Sequence, residues 1–215
     1  MSFKKNIYNP GFVIYYIFLL IGGILLFLYK KGDVLLWINK NHSEIQDQFF
    51  KYWTYLGDGM MFAILILFFV MVSYYRTLVF IFAVISQTIV IQGLKRFVFS
   101  DVVRPKLFFE DFSDLHQVVG VDIPGYNSFP SGHTATAFTI VVLLSLFIKN
   151  KYLTGLLMIM ALLVGISRVY LLQHFFIDIY FGSIIGFLNG IIVFTWMDSS
   201  SLNKKTTLDR GLIKY

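Results

Sequence analysis

The chain has 215 residues, 57% of them hydrophobic and 14% charged, with a mean hydropathy of +0.73 and a net charge of +6. That balance lies outside the range of soluble domains and points to a polytopic membrane protein forming one membrane-embedded domain over residues 1–215. The absence of cysteine excludes a disulfide framework and any Cys-ligated zinc or iron–sulfur site; no basic run is long enough to track a nucleic-acid backbone, so anionic lipid is the partner that the positive charge suits.

The first apolar stretch, Gly11 to Tyr29, follows Lys4-Lys5 and runs into Lys30-Lys31 with no small-residue cleavage site, so it is read as a retained first span. Gly32 to Gly59 is too long and too polar for a tight connection. Its Leu35, Leu36, Trp37, Phe49, Phe50, Trp53 and Leu56, interleaved with Lys40, Glu44, Asp47 and Lys51, predict an amphipathic element in the outer membrane interface, serving as an aromatic anchor or in lipid access. Further apolar segments cover Met60–Tyr75, Thr77–Leu94, Thr134–Ile148, Tyr152–Ile166 and Phe175–Trp196. The expected fold is therefore all-α: a six-transmembrane-helix bundle with an interfacial amphipathic segment.

The fourth and fifth segments hold 15 residues each, or roughly 22 Å of helix against a hydrocarbon core of about 30 Å. Their helices must continue into Ser131-Gly132-His133 and Ser167-Arg168, which places these polar residues at headgroup depth. Nine Lys and Arg fall on each side of the six spans, with Lys4, Lys5, Arg76, Lys149, Lys151, Lys204, Lys205, Arg210 and Lys214 on one of them. Setting Lys95, Arg104 and Arg168 aside leaves nine against six, so the positive-inside rule makes the first face cytoplasmic, with both termini.

Ionisable residues within such a chain are costly, and each is a functional hypothesis. A phosphate ester is held mainly by cations around its equatorial oxygens, and Lys95, Arg104 and Arg168 supply three. Arginine suits the task because its planar fork grips two oxygens at once. Pro130-Ser131-Gly132-His133 opens the fourth membrane helix, where Ser131 can cap it and Gly132 lets an anion approach the N–H groups and positive dipole end. His174 and Asp178, four apart, would share a face at the start of the last helix, with the carboxylate holding one imidazole nitrogen protonated and leaving the other as nucleophile. His133 would then be the general acid. The two histidines and the carboxylate could in principle ligate zinc, but three nearby cations would repel a divalent ion and no histidine pair has HExxH-like spacing, so neither metal nor cofactor is expected.

These residues closely resemble the type-2 phosphatidic acid phosphatase superfamily, the membrane branch related to the vanadium haloperoxidases. Its second and third signatures, Pro-Ser-Gly-His and Ser-Arg-x5-His-x3-Asp, match Pro130–His133 and Ser167–Asp178 letter for letter. The first departs: Lys95 and Arg104 enclose eight residues where the family usually has six, which leaves Arg96 as an alternative to Lys95. The resemblance implies that Lys95, Arg104, Ser131, Gly132 and Arg168 bind phosphate, that His133 is the acid, His174 the nucleophile and Asp178 its partner, and that the motif core spans 95–178. It also implies hydrolysis of a lipid-linked phosphate monoester or diphosphate, with undecaprenyl diphosphate, a lipid A phosphate, phosphatidylglycerophosphate and phosphatidic acid as candidates. The compact, basic chain looks bacterial, so an inner-membrane protein with a periplasmic site is expected. Two other readings use the same cations: a phosphotransferase with another acceptor than water, and a non-catalytic phospholipid binder or transporter, against which His174 argues. The segment Lys106–Phe129 is expected to shape the entrance.

Overall fold

The computed structural model describes residues 10–148, 150–200 and 208–213, and among these all regular structure is helical. Helix α1 is Pro10–Leu28, α2 Asp33–Lys40 and α3 Glu44–Trp53; a 3-10 turn, Thr54–Gly57, then leads into α4, Gly59–Val72. Helix α5 is Tyr74–Gly93 and ends in a widened π turn, Leu94–Val98. After the short α6, Pro105–Phe108, come α7 Gly132–Ile148, α8 Lys151–Tyr170 and α9 Phe176–Ser199.

Four helices are long and apolar enough to cross a membrane: α1, α5 with its π turn, α8 and α9. A fifth crossing exists if α3 and its turn are taken together with α4, from which they are bent by 56°. The six segments read from the sequence are all present as helices, but α4 has 14 residues and α7 has 17, too few to span about 30 Å of hydrocarbon unaided. The lipid-compatible faces are plain on α1, where Leu20, Phe27 and Leu28 are exposed, and on α9, where Ile192 and Trp196 are. The protein is thus an integral membrane helical bundle. The residues Lys4, Lys5, Lys149, Lys204, Lys205 and Lys214, which enter the charge bias, lie outside the described residues.

Helix α7 is the centre of the bundle. Twelve of its residues are buried, and it contributes to two apolar cores. One joins Phe12 and Tyr15 of α1 to Phe138 and Val142 of α7, Met158 and Val164 of α8 and Phe187 of α9. The other joins Phe62 and Phe69 of α4 to Phe80 of α5, Leu143 of α7 and Met197 of α9. Lipid tails are as apolar as leucine, so close packing and interhelical hydrogen bonds have to hold such a bundle. Gly182, Gly186 and Gly190 form a stripe along α9 that lets the α7 backbone approach; a Cβ at Gly186 would run into the Ala135 carbonyl. Thr139 donates to the Gly186 carbonyl (3.0 Å), Gln87 to Thr136 (2.8 Å) and Ser86 to Asn189 (2.7 Å), tying α7, α5 and α9 together.

The Gly32–Gly59 segment folds as α2, α3 and the turn, with Leu35 and Phe50 buried and Trp37, Ile45 and Tyr52 exposed. Its polar face is not simply solvated. Asp47 accepts from the Tyr170 hydroxyl and faces His116 Nε2 at 2.9 Å, and the His116 ring stacks on His42 at 3.7 Å. That network clamps α3 to the end of α8 and to the 106–129 segment.

Candidate active site

The third motif ends α8 and begins α9. Ser167 and Arg168 lie in the last turn of α8, so this helix continues past its apolar run to Tyr170. The chain then reverses through Leu172, whose φ is +56°. A left-handed leucine costs roughly 1–2 kcal/mol, and its almost complete burial holds it there. The N–H groups of Gln173 and His174 both donate to the Arg168 carbonyl, at 3.0 and 3.1 Å. This fold-back is why five residues separate Arg168 from His174: it returns the imidazole to the level of the guanidinium.

The spacing predicts His174 and Asp178 on one helix face. In the structure His174 precedes the helix, and Asp178 sits in its first turn, where Oδ2 accepts from the Phe175 N–H at 2.9 Å. An aspartate near an N-terminus satisfies backbone donors in this way, and here it also reaches out of the helix to face His174 Nδ1 at 3.2 Å. The same oxygen accepts from Ser128 Oγ. On the other side of the ring, Arg104 Nη1 lies 3.4 Å from His174 Nε2. A guanidinium has no acceptor, so Nε2 presents its lone pair and Nδ1 carries the proton. Burial pushes the His174 imidazole well below its ordinary pKa, against the favourable pull of Asp178. The ring is therefore neutral and oriented.

Arg104 is buried and pinned by carbonyls: Nε donates to Tyr126 (2.8 Å), Nη1 to Gln173 (2.9 Å) and Nη2 to Asn127 (3.3 Å). Burial lowers its pKa, opposed by Asp178 and Asp122. The Arg104 N–H also donates to the Gly125 carbonyl and that of Ser128 to Val102, which closes the base of the 102–128 loop. Lys95 lies in the π turn, where Phe99 N–H reaches back five residues to the Leu94 carbonyl, and its Nζ donates to the Asn127 carbonyl at 3.0 Å. Arg96 is exposed and points elsewhere.

Ser131 caps α7, accepting from the N–H and hydroxyl of Thr134 at 3.4 and 2.9 Å, while its own N–H donates to the Asp178 carbonyl at 3.0 Å. It is fully buried beneath the site, and Gly132 and His133 line the cavity above it. That cavity, of about 600 Å³, is also lined by Lys95, Arg104, Arg168 and His174, with Lys51, Thr54, Tyr55, Gln92 and Gln173 around them. Two motif atoms are buried without a partner among the described residues: Arg168 Nε and Asp178 Oδ1.

Four participants escape the sequence reading. Ser128 and Asn127 lie just ahead of the Pro-Ser-Gly-His motif, where their nearness to it was the available signal. Thr54, which accepts from Arg168 Nη1 at 2.7 Å, and Asp58, whose Oδ2 lies 3.8 Å from His133 Nε2, come from the bend before α4 and carry no spacing signal. Together these groups can receive a tetrahedral dianion between three cations and a helix start, with a neutral imidazole lone pair and a second imidazole in the same cavity.

Comparison with known proteins gives the family. The profile of the PAP2 superfamily matches residues 76–201, more than half of the chain. The chain belongs to the PAP2 superfamily. The match encloses Lys95 through Asp178 and leaves out Thr54 and Asp58. The crystal structure of Aquifex aeolicus LpxE superposes with a TM-score of 0.66 at 30% identity, covering 77% of this chain and 94% of that one. The first transmembrane PAP2-type phosphatidylglycerolphosphate phosphatase from Bacillus subtilis superposes with a TM-score of 0.59 at 21% identity, covering 88% and 96%; at that identity it shows the fold alone. Among curated sequences, the bacitracin transport permease protein BcrC of Bacillus licheniformis is 42% identical over 69 residues, 32% of each chain. Probable lipid phosphate phosphatase 4 of Arabidopsis thaliana is 34% identical over 98 residues, 39% of this chain and 32% of that protein. The matched stretches thus span about a third of the length of these curated relatives.

Proposed function

We propose that this PAP2 protein is a membrane phosphatase that hydrolyses a lipid-linked phosphate monoester or diphosphate through a phosphohistidine intermediate. The observation that carries the reading is the environment of His174: its Nδ1 faces Asp178, its Nε2 faces Arg104, and the ring borders a cavity shared with Lys95, Arg168 and His133. In the first half-reaction His174 Nε2 bonds to phosphorus, the bond to the leaving oxygen breaks, and His133 delivers a proton to that oxygen. Lys95, Arg104 and Arg168, with the N–H groups at Gly132 and His133, stabilise the charge on the equatorial oxygens. In the second, His133 takes a proton from water, the water oxygen bonds to phosphorus and the P–N bond breaks. Asp178 stays ionised and stabilises the imidazolium as it forms.

The setting follows from the same reading. Six spans, with α4 and α7 extended to headgroup depth by the Thr54–Asp58 bend and by the motif residues, put both termini on the cytoplasmic face and the cavity at the outer headgroup level, the periplasmic face of a bacterial inner membrane. Helices α2 and α3 lie in that interface. The substrate class is drawn from undecaprenyl diphosphate, a lipid A phosphate, phosphatidylglycerophosphate and phosphatidic acid; the Bacillus subtilis protein that shares the fold is a phosphatidylglycerolphosphate phosphatase.

Phosphate release by the purified protein from these four lipids, with His174→Ala as the blank, tests the reading. Release from at least one lipid that the blank lacks is expected. Equal release by wild type and His174→Ala, or none from any lipid, would overturn it.

A further inference from the structure

A short segment outside the matched motifs touches two of their charged groups. The turn Thr54–Gly57 and the capping residue Asp58 lie at the 56° bend between α3 and α4. Thr54 is buried, and its Oγ1 accepts from Arg168 Nη1 at 2.7 Å. Asp58 Oδ1 caps α4 by accepting from the Met60 N–H at 3.0 Å, while Oδ2 lies 3.8 Å from His133 Nε2. Gly57, between them, packs on the first turn of α7: a Cβ there would sit 2.7 Å from the His133 carbonyl and 2.5 Å from Val164. The bend is therefore pressed onto the helix start that carries His133, and only a residue without a side chain allows the approach.

The charges around His133 give the contact a purpose. Arg168 from α8, Lys95 from the end of α5 and Arg104 from the 102–128 loop all act on its ring, and Asp58 is the carboxylate that acts with them. A general acid has to begin its step protonated, yet a protonated His133 stands among three like charges. We propose that the Thr54–Asp58 bend is a positioning element of the active site, in which Asp58 stabilises the imidazolium of His133 for protonation of the leaving group and Thr54 holds Arg168 toward the transferred phosphoryl group. This rests on the phosphatase reading above.

The two roles have different kinetic signatures. An alkoxide leaving group needs the proton that His133 supplies, whereas p-nitrophenolate leaves as a stable anion. Asp58→Asn and Asp58→Ser both keep an N-cap acceptor for α4 while removing the charge. In each, turnover of dioctanoyl phosphatidic acid should fall about tenfold or more relative to turnover of p-nitrophenyl phosphate, a part of the roughly 10²–10⁴-fold that a general acid contributes, and Asp58→Glu should restore part of the ratio. Thr54→Val should instead raise KM for both esters and weaken vanadate inhibition in parallel, with Thr54→Ser restoring both. Wild-type protein that releases phosphate from neither ester nor from any of the other three candidate lipids overturns the phosphatase reading and the inference together. Wild-type activity with the alkyl-to-aryl ratio unchanged in folded Asp58→Asn and Asp58→Ser overturns the inference alone. So does a Thr54→Val protein with unaltered KM and vanadate inhibition.

Discussion

Lys95 and Arg104 donate to one and the same oxygen, the carbonyl of Asn127, at 3.0 and 3.3 Å. Their convergence explains how a first motif with two extra residues still delivers both cations. The π turn at Leu94–Val98 takes up part of the added length and turns Lys95 toward the cavity while Arg96 faces outward. Asn127 has a φ of +57°, a conformation that asparagine tolerates better than most residues, and its carbonyl becomes the meeting point.

From this geometry Lys95→Ala should lower kcat/KM by about 10²–10³-fold, as loss of one electrostatic donor to a transition state does. Arg96→Ala should change it by no more than about threefold, as an exposed substitution does. Steady-state kinetics of the two single variants decides between them; the reverse order would move the role to Arg96.

His174→Ala should abolish turnover with the fold intact, because its Nε2 is the lone pair that the contacts with Asp178 and Arg104 orient into the cavity. Asp178→Asn should leave a measurable residue of activity by misorienting the imidazole, and Ser128→Ala a larger one, since the Ser128 hydroxyl reaches the imidazole only through the Asp178 oxygen to which it donates. Members of one unit are non-additive, so the Asp178→Asn/Ser128→Ala double variant should be little worse than Asp178→Asn. Losses that simply multiply would separate Ser128 from the unit.

The motifs were legible because their chemistry is local. Arg168, His174 and Asp178 are brought together by one turn and one helix start, and Gly132 and His133 by another, so fixed letters at fixed spacing carry them. Thr54 and Asp58 reach the site only through the packing of α3 and α4 on α7 and α8, a tertiary relationship with no period to read. The helices were legible as apolar runs, but apolarity does not distinguish lipid from protein as the surrounding medium. Helix α7 is apolar because other helices cover it, and α4 stops at Ser73 after 14 residues, so six runs yield four helices that span by length, or five with the bent pair. The Gly32–Gly59 segment reads as an amphipathic interfacial element with Asp47 on its polar face, whereas Asp47 turns inward to Tyr170 and His116.

Activity should persist in excess chelator. Lys95, Arg104 and Arg168 already supply three positive charges around the cavity, and electrostatic stabilisation of the phosphoryl oxygens requires no further cation. Phosphate release with and without EDTA checks this; loss of activity that zinc or magnesium restores would refute it. Vanadate, which takes up the five-coordinate geometry of the transferring group, should inhibit competitively, and His174→Ala should bind it much more weakly.

The buried, neutral His174 should also leave a mark on stability. Its folded-state pKa is depressed by burial, while the unfolded chain protonates near the ordinary value of about 6.5. Below that pH the unfolded state binds a proton that the folded state refuses, so the contribution of this residue is complete above about pH 6.5 and is lost progressively as the pH falls toward the folded value. Each pH unit inside that window costs at most about 1.4 kcal/mol. His174→Gln carries no titrating group and should therefore show a shallower decline of melting temperature between pH 7 and pH 5 than wild type, both measured in the same detergent. Titrating groups that do not touch His174 affect the two proteins alike and cancel in the difference. Parallel curves would mean that the imidazole takes up its proton as readily folded as unfolded, and that His174 is not held as a neutral base.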